Sequence, residues 1–416
     1  MSREFGGRTC RVAVLSAVIV VTLAFGGQLS AAEPFVLETY LDSGKISEGI
    51  AAADVALKSE PDAANVRFAQ GILQFLQGIE RLSQGLYRLG PSRHASQLPF
   101  LRLPVTPNTE PEIAIYEGLR KLFLQLQADL ETVEKTLSLV KGDVKVPVRI
   151  GTVLLDLNGD GKADEDERFW KIYARMNMQA EEATEEIARE YVIAFDTADA
   201  IWLRGYCHLL LALDEFILAH NWKETFDRTA HLFFARVDTK YSKLFDDEHD
   251  DQFMEPILDL IAFIHLIRFP VEEPARMKSA LAHIEQMLDL SGQMFEAVLA
   301  ETDDDREWIP NPKQTGVIPG VAVTEEMLEG WEEFLVEAKS LFAGKKLIPH
   351  WRIRTGEGIN LRKVFEEPTP FDLILWIQGT AAVPYLEKGE MTDLETWTRL
   401  DRIFRGEFIG FALWFN

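Results

Sequence analysis

The sequence predicts a mainly α-helical protein, built of helical hairpins and bundles in two or three subdomains, with one short extended segment. Three observations lead there. Between positions 115 and 140 apolar residues recur every three or four places (Ile115, Leu119, Leu122, Leu126, Leu130, Val133, Leu137, Val140), the period of a helix with one buried face. Three further apolar stretches of helical length follow, at 200–220, 254–268 and 275–301, with Phe269-Pro270 and Pro274 breaking the last two apart. Helix-start signatures recur at Thr109 with Glu112, at Thr324 with Glu325 and Glu326, and at Thr392 with Glu395.

The chain begins with a positive stretch, Arg3, Arg8 and Arg11, and then an apolar run at 12–25 broken only by Ser16 and Thr22. Gly26 and Gly27 end the run, and Ser30-Ala31-Ala32 places small residues before Glu33. This is the layout of a secretory signal peptide cut after residue 32, of bacterial type, and it predicts a periplasmic or extracellular protein. The run is shorter than the roughly 20 residues of a membrane span. Cys10 precedes it, whereas a lipoprotein cysteine would follow.

Loss of Arg3, Arg8, Arg11 and Glu4 takes the net charge from −24 to −26. Such a chain repels nucleic acid and anionic lipid and attracts divalent cations. Cys207 is then the one remaining cysteine, so no internal disulfide forms, and its apolar setting predicts a buried, inert thiol. After cleavage no stretch of spanning length lacks charge; the best, 200–220, holds Arg204, Asp214 and Glu215.

The first mature stretch, 33–141, starts as a helical hairpin. Gly44, Gly49, Ala53, Ala56 and Pro61, then Gly71 and Gly78, are spaced as in a tetratricopeptide repeat, where small residues allow close helix approach. The resemblance fades at Ser83 and Gly90. A proline-rich loop at 90–108 leads to the helix of period 3.6, expected to start at the Thr109 box with Pro111 in its first turn. Lys141-Gly142-Asp143 stops that helix. Val148, Ile150 and Val153 make 147–155 extended.

Residues 156–167 read Asp-Leu-Asn-Gly-Asp-Gly-Lys-Ala-Asp-Glu-Asp-Glu. Calcium takes six to eight oxygens, and a twelve-residue loop supplies them from positions 1, 3, 5, 7, 9 and 12. Here those are Asp156, Asn158, Asp160, the Lys162 carbonyl, Asp164 and Glu167, with Gly161 at the sharp turn. The run resembles an EF-hand loop, and equally a dockerin-type single loop. The resemblance implies Ca2+ held by those six residues. Two departures stand out: position eight is the small Ala163, and the chain holds no second loop of this pattern.

A helical region at 171–301 follows, then a loop at 302–323 rich in proline and glycine, expected to be exposed between helical units, then an aromatic-rich helical part at 324–416. Two acidic runs, 245–252 and 303–305, are either second cation sites or solvated loops. Lys345, Lys346, Arg352, Arg354, Arg362 and Lys363 make a basic run with Glu357 its only acid, and His350 and Trp351 at its centre. His350, Trp351, Arg352, Arg354 and Arg362 are thus candidate ligand residues for a carboxylate or anionic glycan; the other reading is an internal counterweight to the acidic helices. The eight histidines show no metal-ligand spacing, and signatures of hydrolase elbows, zinc proteases and phosphate loops are absent. The leading expectation is a binding or scaffold module locked by calcium, with a protein or glycan partner. The alternatives are a cell-envelope hydrolase using carboxylates near the basic, aromatic part, and calcium-regulated assembly.

Overall fold

Glycine decides how closely the first helices approach. In the computed structural model, which describes residues 35–92, 107–176, 184–244, 254–317 and 322–415, α1 (Leu37–Ser43) ends at Gly44 with φ +67°, and α2 (Ile46–Ser59) and α3 (Ala64–Leu89) form a hairpin around Pro61. The signal-peptide residues and the acidic run at 245–252 lie outside the described residues. On α3, Gly71, Gly78 and Gly85 are seven residues apart and share one face. A Cβ on Gly71 would come 2.3 Å from Leu137, one on Gly78 3.3 Å from Asp129, and one on Gly85 2.4 Å from Leu122. These partners run backwards along α4 (Tyr116–Leu137), so the two helices are antiparallel and in close contact. The spacing that fades at Ser83 continues, for packing purposes, at Gly85.

The start of α4 corrects the sequence expectation. The helix begins after Ile115, with no side-chain cap, and not at the Thr109 box. The backbone of 108–115 is committed elsewhere: Glu112 N–H donates to the Arg88 carbonyl and Ala114 N–H to that of Arg236. Pro111 packs against Gly90 rather than opening a helical turn.

Extended chain then appears where Val146 and Val148 favour it. β1 (Lys145–Val148) is followed by α5 (Phe169–Met176) and α6 (Glu185–Glu190), and pairs antiparallel with β2 (Ile193–Asp196), Lys145 opposite Asp196. The rest of the expected extended stretch is a short turn at Ile150–Thr152 and a bridge between Leu154 and Arg168. Asp196 caps α7 (Thr197–Ala219), its Oδ1 accepting from Ala198 N–H at 2.7 Å.

After α8 (Lys223–Thr229), α9 (Met254–Leu266) and β3 (Arg268–Phe269) comes α10 (Pro274–Ala300), with Pro274 in its first turn. Helices α2, α3, α4, α7 and α10 stack side by side, each antiparallel to the next, and polar pairs fix each step. Gln70 bonds Asp54 at 2.6 Å across α2 and α3. Arg204 bonds Glu134 at 2.9 Å, and Gln127 bonds Glu215 at 2.9 Å, across α4 and α7. Arg276 bonds Glu215 at 2.7 Å across α7 and α10. Cys207 is fully buried among these helices, as expected, and burial pushes its thiol far up.

The last part consists of α11 (Glu325–Phe342), β4 (Lys346–Leu347), β5 (Glu357–Ile359), α12 (Leu361–Glu366), β6 (Phe371–Asp372), α13 (Leu373–Gln378), β7 (Leu386–Lys388), β8 (Glu390–Met391), α14 (Leu394–Ile403) and α15 (Phe408–Phe415). Thr324 caps α11 as expected, accepting from Met327 N–H. The cap of α14 is Asp393, one residue past the expected Thr392, whose Oγ1 instead accepts from the Trp397 indole at 2.7 Å. Trp331 is fully buried at the centre of this part, its indole donating to Ser291 Oγ at 3.0 Å. Phe295, Phe334, Phe404 and Phe415 surround it. The 302–323 loop also joins the core: Glu307, Ile309, Asn311 and Val317 are buried, against the expectation of an exposed linker. Its irregular backbone is held by side chains, such as Asn311 Nδ2 donating to the Val298 carbonyl at 3.0 Å.

The fold class is therefore mainly α, with every strand four residues or shorter among the described residues. No helix of the described residues is long and apolar enough to cross a membrane. One surface is unusual. α9 turns Ile257, Leu258, Leu260, Ile261 and Ile264 to solvent on one face, and Asp259 and Phe263 toward His231 and Phe233. Beside it α13 exposes Ile374, Leu375 and Ile377.

Candidate metal centre

The loop at 156–167 is built by short polar side chains folding back on their own backbone. Asp156 accepts from Gly159 N–H at 2.7 Å and Gly161 N–H at 3.1 Å. Asn158 accepts from Asp160 N–H, and Asp160 from Lys162 N–H, each at 2.8 Å. Gly159 and Gly161 have φ of +78° and +84°, a region costly for other residues. Glu167 is buried, at 4% exposure, and closes the loop. Its Oε1 accepts from Leu157 and Asn158 N–H at 2.9 and 3.0 Å, its Oε2 from Asp164 N–H at 2.9 Å. Asp164 and Glu167 form a capping box on the turn Glu165–Glu167.

The loop rests on α3. Asp156 N–H donates to Glu80 Oε1 at 2.9 Å, Gln84 Nε2 donates to the Asp156 carbonyl at 2.7 Å, and Ser83 Oγ to that of Leu157 at 3.1 Å. Burial pushes the Glu80 carboxyl up to about 7 against the lowering pull of the Asp156 N–H, and the charges of Asp156 and Glu167 push it the same way as burial. Glu167 is likewise raised, chiefly by burial. No described lysine or arginine forms an ion pair with Asp156, Asp160, Asp164 or Glu167. The nearest cations serve others: Arg168 pairs with Glu165, and Lys171 with Asp166. Hard oxygen donors without a protein cation, at a turn only glycine makes easily, suit a hard divalent ion.

Sequence spacing missed a second carboxylate group. Among the described residues, Asp196, Glu301 and Glu307 are the three acids whose oxygens lie within 4.8 Å of one another. They come from the start of α7, the end of α10 and the 302–323 loop. Burial pushes Glu301 up to about 9, and the charge of the neighbouring Asp196 and its hydrogen bond push it the same way. Of the acidic run beside them, Lys145 pairs with Asp303 at 3.2 Å and with Asp305. Asp304 accepts from Thr315 N–H at 2.6 Å.

Also missed was a histidine pair. His208 Nδ1 and His283 Nδ1 lie 2.8 Å apart between α7 and α10, so one ring donates to the other. Their separation in sequence depends on the chain between two helices, which no motif records.

The basic run divides in two. Lys346 pairs with Glu337 at 2.6 Å, Arg362 with Glu285 and Glu366 at 2.9 and 2.7 Å, and Lys363 with Glu387, which is the counterweight arrangement. His350, Trp351 and Arg352 stay together: the Arg352 guanidinium stands 4.6 Å over the Trp351 ring, and Arg352 N–H donates to His350 Nδ1 at 3.2 Å. Trp351 is 66% exposed and donates to the Ile377 carbonyl. Arg354 is exposed, and neither it nor Arg352 forms an ion pair with a described residue. Arg362 thus stands apart from the His350–Trp351–Arg352 group, with two carboxylate partners of its own.

In comparisons with known proteins the chain matches no family model, and no curated protein or solved structure is similar to it.

Proposed function

We propose that the protein is an exported, calcium-binding helical scaffold in which one ion at residues 156–167 clips the loop to the helices beneath it. Asp156, Asn158, Asp160, the Lys162 carbonyl, Asp164 and Glu167 would hold Ca2+. The observation that carries the reading is the set of four loop carboxylates, seated on the buried Glu80, with which no described lysine or arginine forms an ion pair; their oxygens stand further apart than those of the Asp196 group, so an ion would have to draw them together. A divalent ion supplies the missing charge. Glu167 Oε1 already accepts two N–H groups and Oε2 one, so a lone pair on Oε2 is its readiest contribution. The export segment at 1–32 and the lack of disulfides fit a role in which metal, rather than covalent staples, steadies the fold outside the cytoplasm.

The test is thermal melting of the protein from residue 33 onward, in EDTA and in millimolar calcium, beside Asp156→Ala. A site filled to 100 times its dissociation constant adds about 2.7 kcal/mol, which moves the melting point by a few degrees in a chain of this size. A rise with calcium in wild type that Asp156→Ala abolishes supports the proposal. Equal melting with and without calcium in both proteins rejects it.

A further inference from the structure

Five helices leave a cleft of about 500 Å³ between them. Its wall includes Phe216 from α7, Ile284 from α10, Phe334 from α11, Phe365 from α12 and Trp397 from α14. This volume falls within the range of small-molecule sites, roughly 300–1,000 Å³. Thr392 is the one hydroxyl in the wall, and its oxygen already accepts from the Trp397 indole. A water needs two to four polar partners, and among side chains this wall offers only what remains of the Thr392 hydroxyl. A polar ligand group would lose its hydration here without compensation. The cleft opens where Leu213, a wall residue, is 54% exposed.

Acids and bases both flank the wall in sequence, Asp214 beside Leu213 and Glu366 beside Phe365 among the acids. Lys345 is exposed, forms no ion pair with a described residue, and lies three residues in sequence from each of two wall residues, Phe342 and Ile348. Its neighbour Lys346 is held by Glu337 instead.

We propose that this cleft binds the hydrocarbon chain of a fatty acid or similar single-chain anionic amphiphile, with Lys345 taking the head group. The wall selects the tail by apolar contact, and the ammonium adds a charge-assisted hydrogen bond to a carboxylate. This site is separate from the calcium loop, so its fate does not depend on metal.

The test uses the whole protein and dibrominated stearic acid, whose bromines quench tryptophan at short range. Saturable quenching is expected, smaller in Trp397→Phe, which removes the tryptophan of the wall. Ala338→Phe fills the cleft and should weaken binding at least about tenfold; Ala338 is buried, so its melting point is measured alongside. Should that variant fail to fold, Leu213→Glu, at an exposed rim position, gives the same reading. Lys345→Ala should weaken the acid several-fold and leave a long-chain alcohol unaffected. No saturable quenching overturns the proposal. So does quenching untouched by Ala338→Phe and Leu213→Glu but lost in Ile261→Asp, which would place the chain on the exposed face of α9.

Discussion

The methyl group of Ala163 stands where a side chain on Gly44 would have to go: a Cβ on Gly44 would lie 2.5 Å from the Ala163 Cβ. The turn between α1 and α2 therefore abuts the eighth position of the 156–167 loop, and that position is small because the turn leaves no room. Ala163→Ile should destabilise the fold by about 1–3 kcal/mol through overpacking. Gly44→Ala should cost at least as much, since it also forces a side chain onto φ +67°. Urea denaturation of both variants measures this. An Ala163→Ile protein as stable as wild type would show that the turn yields freely.

Glu167 satisfies three backbone N–H groups whatever else it binds. Its loss strands those donors, two of them in the loop's inner layer. Glu167→Ala should thus lower stability by about 2–4 kcal/mol in EDTA as well as in calcium. Asp156→Ala, whose bonds are to exposed glycines, should act mainly on the calcium response. Denaturation of the two variants in EDTA separates the roles, and an unchanged Glu167→Ala midpoint there would contradict the capping role.

Asp214 is buried on α7 with neither carboxylate oxygen hydrogen-bonded, and burial, with the charge of Glu215, pushes it up to about 7. Unfolded, it titrates near 4. Between those values the folded state binds more protons than the unfolded one, so stability falls as pH rises and the full penalty stands above pH 7. Asp214→Asn cannot ionise. Its stability relative to wild type should therefore improve from pH 5 to pH 8, by about 1–4 kcal/mol, as chemical denaturation at the two pH values will report. A difference that stays flat would mean Asp214 is ionised throughout.

Signals carried by neighbours in sequence were legible. The period of α4, the Thr324 cap, the glycines at 44, 71 and 78 and the burial of Cys207 all follow from local pattern. The Thr109 box has the right residues, yet the Arg88 and Arg236 carbonyls claim the N–H groups of that stretch. Thr392 likewise serves Trp397 and cedes the cap to Asp393. In both, a partner supplied by the fold outbid the local one. The Asp196–Glu301–Glu307 group and the His208–His283 pair were invisible because antiparallel helices juxtapose residues at separations set by the intervening chain, not by chemistry. The turn at Gly161 in the loop at 156–167 was legible; the loop's seat on Glu80, Ser83 and Gln84 was not.

The oily face of α9 and α13 has a consequence for the molecule in solution. The apolar residues described on that surface carry no charge to keep two copies apart; the net negative charge of the chain acts over about 10 Å at moderate ionic strength. Added salt weakens that repulsion, and a sulfate salt also strengthens apolar association. Colloidal behaviour is thereby tied to ionic strength: the protein disperses best in dilute buffer, and salting it out should begin at this face.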